Sequence, residues 1–207
     1  TDWVLDNYPK MARVGEPMLV ENKGKQIEIK RPGVVHRLDR DTSGVMLLAK
    51  NQKAYEYLKE QFQNREIKKT YHTIVAGWIK DERGIINKKI GRSPTDFRKY
   101  SASRGARGEM REAVTQYKVL NRFLDKKEKF TYLEVSPKTG RTHQIRVHMK
   151  AIDHPVLGDT LYNPNGPCPV DIKRMALHAK SIEFKDVKGK IIKIESPLPL
   201  FFKKVVK

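Results

Sequence analysis

The chain has a single cysteine, Cys168, so an internal disulfide is impossible and a Cys-rich metal site has no support. A reducing compartment, here the cytoplasm, is the simplest expectation. No apolar run approaches the length of a membrane span, and the opening residues "TDWVLDNYPK" do not resemble a signal peptide. Internal repeats, low-complexity blocks and obvious linkers are missing too, which leaves a folded globular chain. Its 207 residues suffice for one substantial core or a domain with two lobes. Acidic residues are the scarcest class relative to their opposite. There are 24 Asp and Glu against 43 Lys and Arg, a formal charge of +19.

That excess favours a polyanionic partner, because counterions released from phosphates drive the association. A lysine-rich surface without a partner is the plainer alternative. An anionic membrane surface is a third, but no basic amphipathic helix with an exposed aromatic face is present. Nucleic acid is the favoured class, and charge alone does not separate RNA from DNA.

Short alternating segments dominate the pattern. "GVMLLAK" (44–50) reads as a buried strand, and residues 51–66 as a helix with Asn51 as N-cap and an apolar stripe of Ala54, Leu58 and Phe62 beside Tyr55. Strands are expected at 70–79, 112–120, 130–136, 176–184 and 190–196, and a short helix at 141–152 after the turn "SPKTG". The polar, basic, glycine-containing stretch 91–111 reads as an exposed, mobile connection. Together these predict an α+β fold with a largely antiparallel sheet and a few covering helices.

The stretch "VVHRLDRDTSGVMLL" (34–48) packs five chargeable residues between apolar runs. If 34–39 are extended, Val35, Arg37 and Asp39 share one face. "DTSG" (41–44) looks like a turn, with Gly44 in an unusual torsion. Asp39 then sits where a carboxylate can be held firmly and still face a cleft. On spacing alone, a structural Asp–Arg ion pair beside an Asx-turn is the favoured reading.

"HRLDRDTSG" resembles the H-R-L-D-x-x-T-S-G signature of the RluA-type RNA pseudouridine synthases. "KKTYHTIVAG" (68–77) is similar to the second motif of that family, with Thr73 in place of the usual Ala. "TGRTHQIRVHM" (139–149) with "HPVLGDTLY" (154–162) resembles the third region, and "LHAKSIEF" (177–184) and "SPLPLFF" (196–202) the closing segment. Four motifs in family order are a specific signal. The resemblance implies the pseudouridine synthase fold, α+β with a mixed, mostly antiparallel central sheet, flanking helices and an RNA-binding catalytic cleft, spanning 1–207 as a single catalytic domain. The family's first N-terminal strand and the S4 RNA-binding domain are not found in the sequence.

The implied chemistry is isomerisation of specific uridines in ribosomal or transfer RNA to pseudouridine, with no cofactor and no metal. Asp39 would be the essential carboxylate, as nucleophile or charge stabiliser. Arg146 would pair with it and keep it ionised. Tyr71 would stack on the flipped uracil or take a proton. Arg37 would enter the RNA stack where the base leaves, with His36, Arg40, Arg141 and Gln144 contributing RNA contacts. A monomer is expected.

Each residue also has an ordinary reading: Tyr71 a core tyrosine, Arg146 a surface cation, Arg37 a phosphate contact, Gln144 a helix cap. A catalytically silent RNA-binding or ribosome-assembly module with the same fold is the alternative function. A metal-dependent phosphodiesterase using Asp39 and Asp41 is another, though no further acidic ligands lie nearby in sequence. His143 and His148 are poorly spaced for zinc. His36, His154 and His178 look structural, Ser43 looks like a turn residue, and Cys168 a bystander.

Overall fold

The computed structural model describes residues 2–205 apart from positions 23, 104, 168, 170, 171 and 173. Cys168 lies outside the described residues. Contacts divide the chain into two compact units. One holds Thr1–Leu38, Met46–Ile67 and Phe184–Ile192; the other holds Asp39–Val45, Lys68–Glu183 and Lys193–Lys207.

In the first unit, helix α1 (Asp2–Asn7) and a 3-10 turn at Pro9–Arg13 precede a hairpin of β1 (Met18–Asn22) and β2 (Lys25–Ile29). Helix α2 (Gln52–Gln63) starts as its sequence dictates. The Asn51 side chain accepts the Ala54 N–H at 2.9 Å, a cap worth about 1 kcal/mol against alanine. Its buried face is Tyr55, Leu58 and Gln61, turned slightly from the expected Ala54–Leu58–Phe62 stripe. Two contacts set this rotation. Phe62 stacks on the His36 ring at 4.8 Å, and the Gln61 amide bonds both the N–H and the C=O of Lys185 at 2.9 Å.

The segment expected to be a strand at 44–50 is not one. Within this unit it is irregular, tied by an isolated bridge between Val34 and Leu48 and by Ala49 N–H to Gly33 O at 2.9 Å. Its aliphatic side chains suit a strand, but among the described residues no neighbouring strand supplies more than that isolated bridge. Residues 35–39 are irregular for the same reason, so alternation along them does not place Arg37 and Asp39 on one strand face.

The second unit is built on a seven-stranded sheet. It comprises β3 (Ser43–Gly44), β4 (Lys68–Ala76), β5 (Arg83–Asn87), β9 (Val114–Asp125), β10 (Glu128–Pro137), β11 (Leu177–Lys185) and β12 (Ile191–Glu195). The order is β12-β11-β4-β10-β9-β5, with β3 added parallel to β11. The β11–β4, β4–β10, β10–β9 and β9–β5 pairs are antiparallel, as the strand pattern predicts.

Strand alternation divides two packed layers. On β4 and β10, Val75, Leu133 and Val135 face helix α3 (Gln144–Lys150), whose Ile145 and Met149 close that core, with Tyr71 packed against it. Ile74, Phe130 and Tyr132 face the other way, where Phe202 of helix α4 (Leu200–Val205) covers them. Each fully buried aliphatic side chain contributes about 1.5–3 kcal/mol. The stretch 91–111 is not a loose connection. It forms most of a three-stranded sheet in the order β7-β6-β8, from β6 (Ile90–Arg92), β7 (Tyr100–Ser101) and β8 (Arg107–Arg111).

Candidate active site

Asp39 opens a turn that several independent contacts fix. The Thr42 N–H donates to Asp39 O at 3.0 Å, so the turn spans 39–42, earlier than the expected 41–44. Ser43 and Gly44 then pair in parallel with His178 and Ala179, and the Val45 N–H donates to Ala179 O at 3.0 Å. Gly44 has φ +117°, and a Cβ there would lie 2.2 Å from Ala179 O, so only glycine fits. Ser43 Oγ bonds His178 Nδ1 at 2.8 Å, and Arg174 Nη2 donates to Asp41 O at 3.0 Å. The backbone that carries the carboxylate is therefore held on both sides.

The Asp39 carboxylate accepts Arg146 Nη1 at 3.1 Å. Arg146 is 8% exposed and Asp39 17%, which makes this a pair largely withdrawn from water. The guanidinium is anchored elsewhere. Its Nε donates to Asp159 Oδ2 at 2.7 Å and its Nη2 to Asp159 Oδ1 at 2.9 Å, a bidentate fork on a carboxylate only 1% exposed. Asp159 Oδ1 also accepts the N–H groups of Leu161 and Tyr162, both at 3.0 Å. The Tyr162 ring lies 4.9 Å from the guanidinium carbon. Burial disfavours the charge on Arg146, but the bonds to Asp159 and the charges of Asp159 and Asp39 outweigh it and raise its pKa.

Tyr71 lies on the same sheet face as the α3 core, partly buried. Burial, and then the negative charge of Asp39, push its phenol up to about 12. At neutral pH it is a neutral aromatic ring with an O–H to donate, and it cannot accept a proton as a phenolate. The two carboxylates of the phosphodiesterase alternative turn to different arginines: Asp39 to Arg146, and Asp41 to the exposed Arg40 at 3.7 Å.

A family model described as RNA pseudouridylate synthase matches residues 17–151. The chain belongs to that family. An "uncharacterized RNA pseudouridine synthase" of Bacillus subtilis is 41% identical over 172 residues, covering 83% of this chain and 54% of the relative. Ribosomal large subunit pseudouridine synthase D of Neisseria meningitidis serogroup A is 39% identical over 182 residues, covering 83% of this chain and 46% of the relative. The chain thus spans about half the length of the curated relatives it matches. Among solved structures, human RNA pseudouridylate synthase domain containing 1 superposes with a TM-score of 0.70 at 30% identity, covering 80% of this chain and 68% of that one. Human RNA pseudouridylate synthase domain containing 4 gives 0.66 at 27%, covering 82% and 72%.

For this pseudouridylate synthase family member, the structure brings Asp39, Arg146 and Tyr71 into one unit and sorts the remaining expected residues. Arg37 and Arg40 are exposed. Arg141 is half-buried, its Nε donating to Glu112 O at 3.0 Å. Two residues expected to contact RNA are engaged within the fold. Gln144 is 5% exposed, and its amide is spent on Thr139, Arg141, Val114 and Thr115, so it braces the start of α3 and has nothing left for a ligand. His36 Nε2 accepts the Leu47 N–H at 2.8 Å while its ring stacks on Phe62, a framework role within the first unit.

The other histidines also serve the framework. His148 uses both ring nitrogens, on Thr115 and Lys88 O, and His154 bonds Ala76 O. Asp159 was not singled out from the sequence, although it contributes more contacts to Arg146 than Asp39 does. The signal was available. A buried guanidinium with five donors needs more than one carboxylate, and "GDTLY" is an Asx-type pattern in which Asp bonds the N–H groups two and three residues on.

Proposed function

We propose that the chain isomerises uridine in RNA to pseudouridine, with Asp39 as the reactive carboxylate. The observation that carries this is the buried Asp39–Arg146–Asp159 chain at the end of a rigid turn, within electrostatic reach of Tyr71. In the reaction the C1′–N1 glycosidic bond breaks, the uracil turns, and C1′ bonds to C5. The C5 proton is lost and N1 ends as N–H, so atoms balance and nothing is oxidised or reduced. Asp39 stabilises or attacks the electron-poor centre as N1 departs. Arg146 holds the carboxylate in place through its Nη1 bond. Tyr71 offers its ring to the extruded uracil, whose flipping costs a few kcal/mol and less from a loop than from a duplex. Arg37 inserting where the base left rests on its place in the motif alone. Relatives named ribosomal large subunit synthases favour large-subunit ribosomal RNA as substrate.

The test is to incubate the protein with ribosomal and total RNA and map new pseudouridines, beside Asp39→Asn. Wild type forms pseudouridine and the variant forms none. Absence of product on every RNA, with binding intact, would instead support a silent RNA-binding module. Full activity in Asp39→Asn would remove the assignment of the carboxylate while leaving the function standing.

A further inference from the structure

The three-stranded sheet β7-β6-β8 and the turn before α3 together line a cleft of about 330 Å³. We propose that this cleft is a phosphodiester subsite for the RNA strand, distinct from the place of the flipped uridine. The inference rests on the reading of the chain as an RNA-modifying enzyme, and it adds where the strand is gripped.

Three arginines, Arg92, Arg111 and Arg141, line the cleft against one carboxylate, Glu109. Each is tethered by the protein on one edge. Arg92 donates Nη1 to Phe97 O at 3.1 Å and lies over the Tyr100 ring at 4.7 Å. Arg111 donates Nε and Nη2 to Glu109 Oε2 at 3.0 and 2.9 Å, and Arg141 donates Nε to Glu112 O at 3.0 Å. Among the described residues, none of these bonds takes more than two of an arginine's five donors. Pre-oriented forks with spare N–H groups are what a phosphate needs, and less side-chain entropy is lost when it binds.

The backbone is open at the same place. A Cβ added at Gly140 would meet only Lys69 Nζ, at 3.7 Å. The volume sits at the low end of the range of about 300–1,000 Å³ for small-ligand pockets, which suits one nucleotide and not a helix.

The cleft is also wired to the carboxylate. The Tyr100 N–H donates to Tyr162 Oη at 2.9 Å, the Tyr162 ring lies 4.9 Å from the Arg146 guanidinium carbon, and Arg146 holds Asp39 at 3.1 Å. One tyrosine therefore sets the spacing between the phosphate subsite and the reacting centre. A strand gripped here is held in register with Asp39, and this makes the small sheet a specificity element.

The experiment measures binding of fluorescent decauridylate against salt for the wild type, Arg92→Ala/Arg111→Ala, Arg92→Lys/Arg111→Lys and Glu109→Gln, each checked for an unchanged melting transition. On a single strand each lost phosphate contact lowers the slope of log affinity against log salt by about 0.7, so the alanine pair loses about 1.4. The lysine pair keeps the slope. Glu109→Gln, which removes the anion competing for Arg111, binds more tightly than wild type, a gain that misfolding cannot imitate. An unchanged slope in the alanine pair, or no gain in Glu109→Gln, overturns the subsite. So does polyglutamate of equal charge that binds as tightly and is lost in parallel, because the cleft is then a general anion trap. Pseudouridine mapping on the same preparations separates the two levels. Product with a pocket-independent slope removes the subsite alone. A pocket-dependent slope without product on any RNA removes the enzymatic reading and leaves an RNA site.

Discussion

Asp159→Asn should damage this protein more than its distance from the chemistry suggests, and in a way distinct from Asp39→Asn. Asp159 is 1% exposed and accepts four hydrogen bonds: two from the Arg146 guanidinium at 2.7 and 2.9 Å and two from backbone N–H groups at 3.0 Å. Asparagine keeps one acceptor oxygen but loses the charge, and its NH2 group points a donor at a guanidinium that can only donate. Arg146 is left buried with a single carboxylate at 3.1 Å. Breaking a buried ion pair from one side costs about 3–5 kcal/mol. The surviving oxygen places this case near 3. For a chain of this length that is a fall in Tm of about 6–12 °C, at about 2–4 °C per kcal/mol.

Asp39→Asn leaves the bidentate fork intact, so its cost in Tm should be a fraction of that, while its activity is gone. The assay is paired: thermal unfolding and pseudouridine formation on the same preparations. Asp159→Asn melting within 2 °C of wild type would refute the claim that Asp159 carries the arginine. So would Asp39→Asn melting as low as Asp159→Asn.

Three further outcomes follow from the same geometry. Tyr71→Ala should weaken RNA binding by about 1–3 kcal/mol, the worth of one stacked base, whereas Tyr71→Phe keeps the affinity; equal losses in the two would rule out stacking. Burial first, and then Lys180, hold the His72 pKa down at about 4, so the fold favours neutral imidazole and the unfolded chain takes up the proton first. That contribution is complete above about pH 6.5 and is lost as pH falls towards 4, at up to about 1.4 kcal/mol per pH unit. Denaturant unfolding at pH 7 and pH 4.5 should show a smaller acid loss in His72→Gln than in wild type, and an identical loss would contradict it. Gly44→Ala and Gly24→Ala both place Cβ at positive φ, a strain of about 1–2 kcal/mol, but only Gly44 also meets a backbone oxygen at 2.2 Å. Gly44→Ala should therefore cost clearly more Tm than Gly24→Ala and also abolish product, and parity between them would show that the turn gives way.

Elements governed by their own residues were legible in the sequence. Asn51 caps α2 because its side chain reaches an N–H three residues on, and the alternation in β4 and β10 shows because both cores read it directly. What escaped was decided at long range. "GVMLLAK" has strand composition, but beyond Gly44 it finds only an isolated bridge from Leu48 to Val34 and single backbone bonds among the described residues, not a ladder, and composition cannot report that. The opposite error fell on 91–111. Polar, glycine-containing and charged, it reads as a loop, yet strands of two to five residues pair there, and the Tyr162 hydroxyl pins the Tyr100 N–H across 62 positions. Gln144 escaped for a related reason: an amide on a short helix looks available until its four partners, from 114 to 141, are seen closing round it.

The site divides along the same line, and the division bears on mechanism. The motif delivered Asp39 and Arg146 as a pair, which suggests two equal partners. The distances are not equal. Arg146 is clamped to Asp159 by bonds of 2.7 and 2.9 Å and reaches Asp39 through a single bond of 3.1 Å. A carboxylate held once, at the longer distance and on the more exposed side, can swing off the arginine without the arginine moving. In the reaction proposed above, a nucleophilic Asp39 would have to do just that: leave a fixed cation and give its oxygen to the carbon that N1 is leaving. On that proposal, Asp159 meets the arginine's demand for a counter-charge with its two bonds and leaves Asp39 to the substrate.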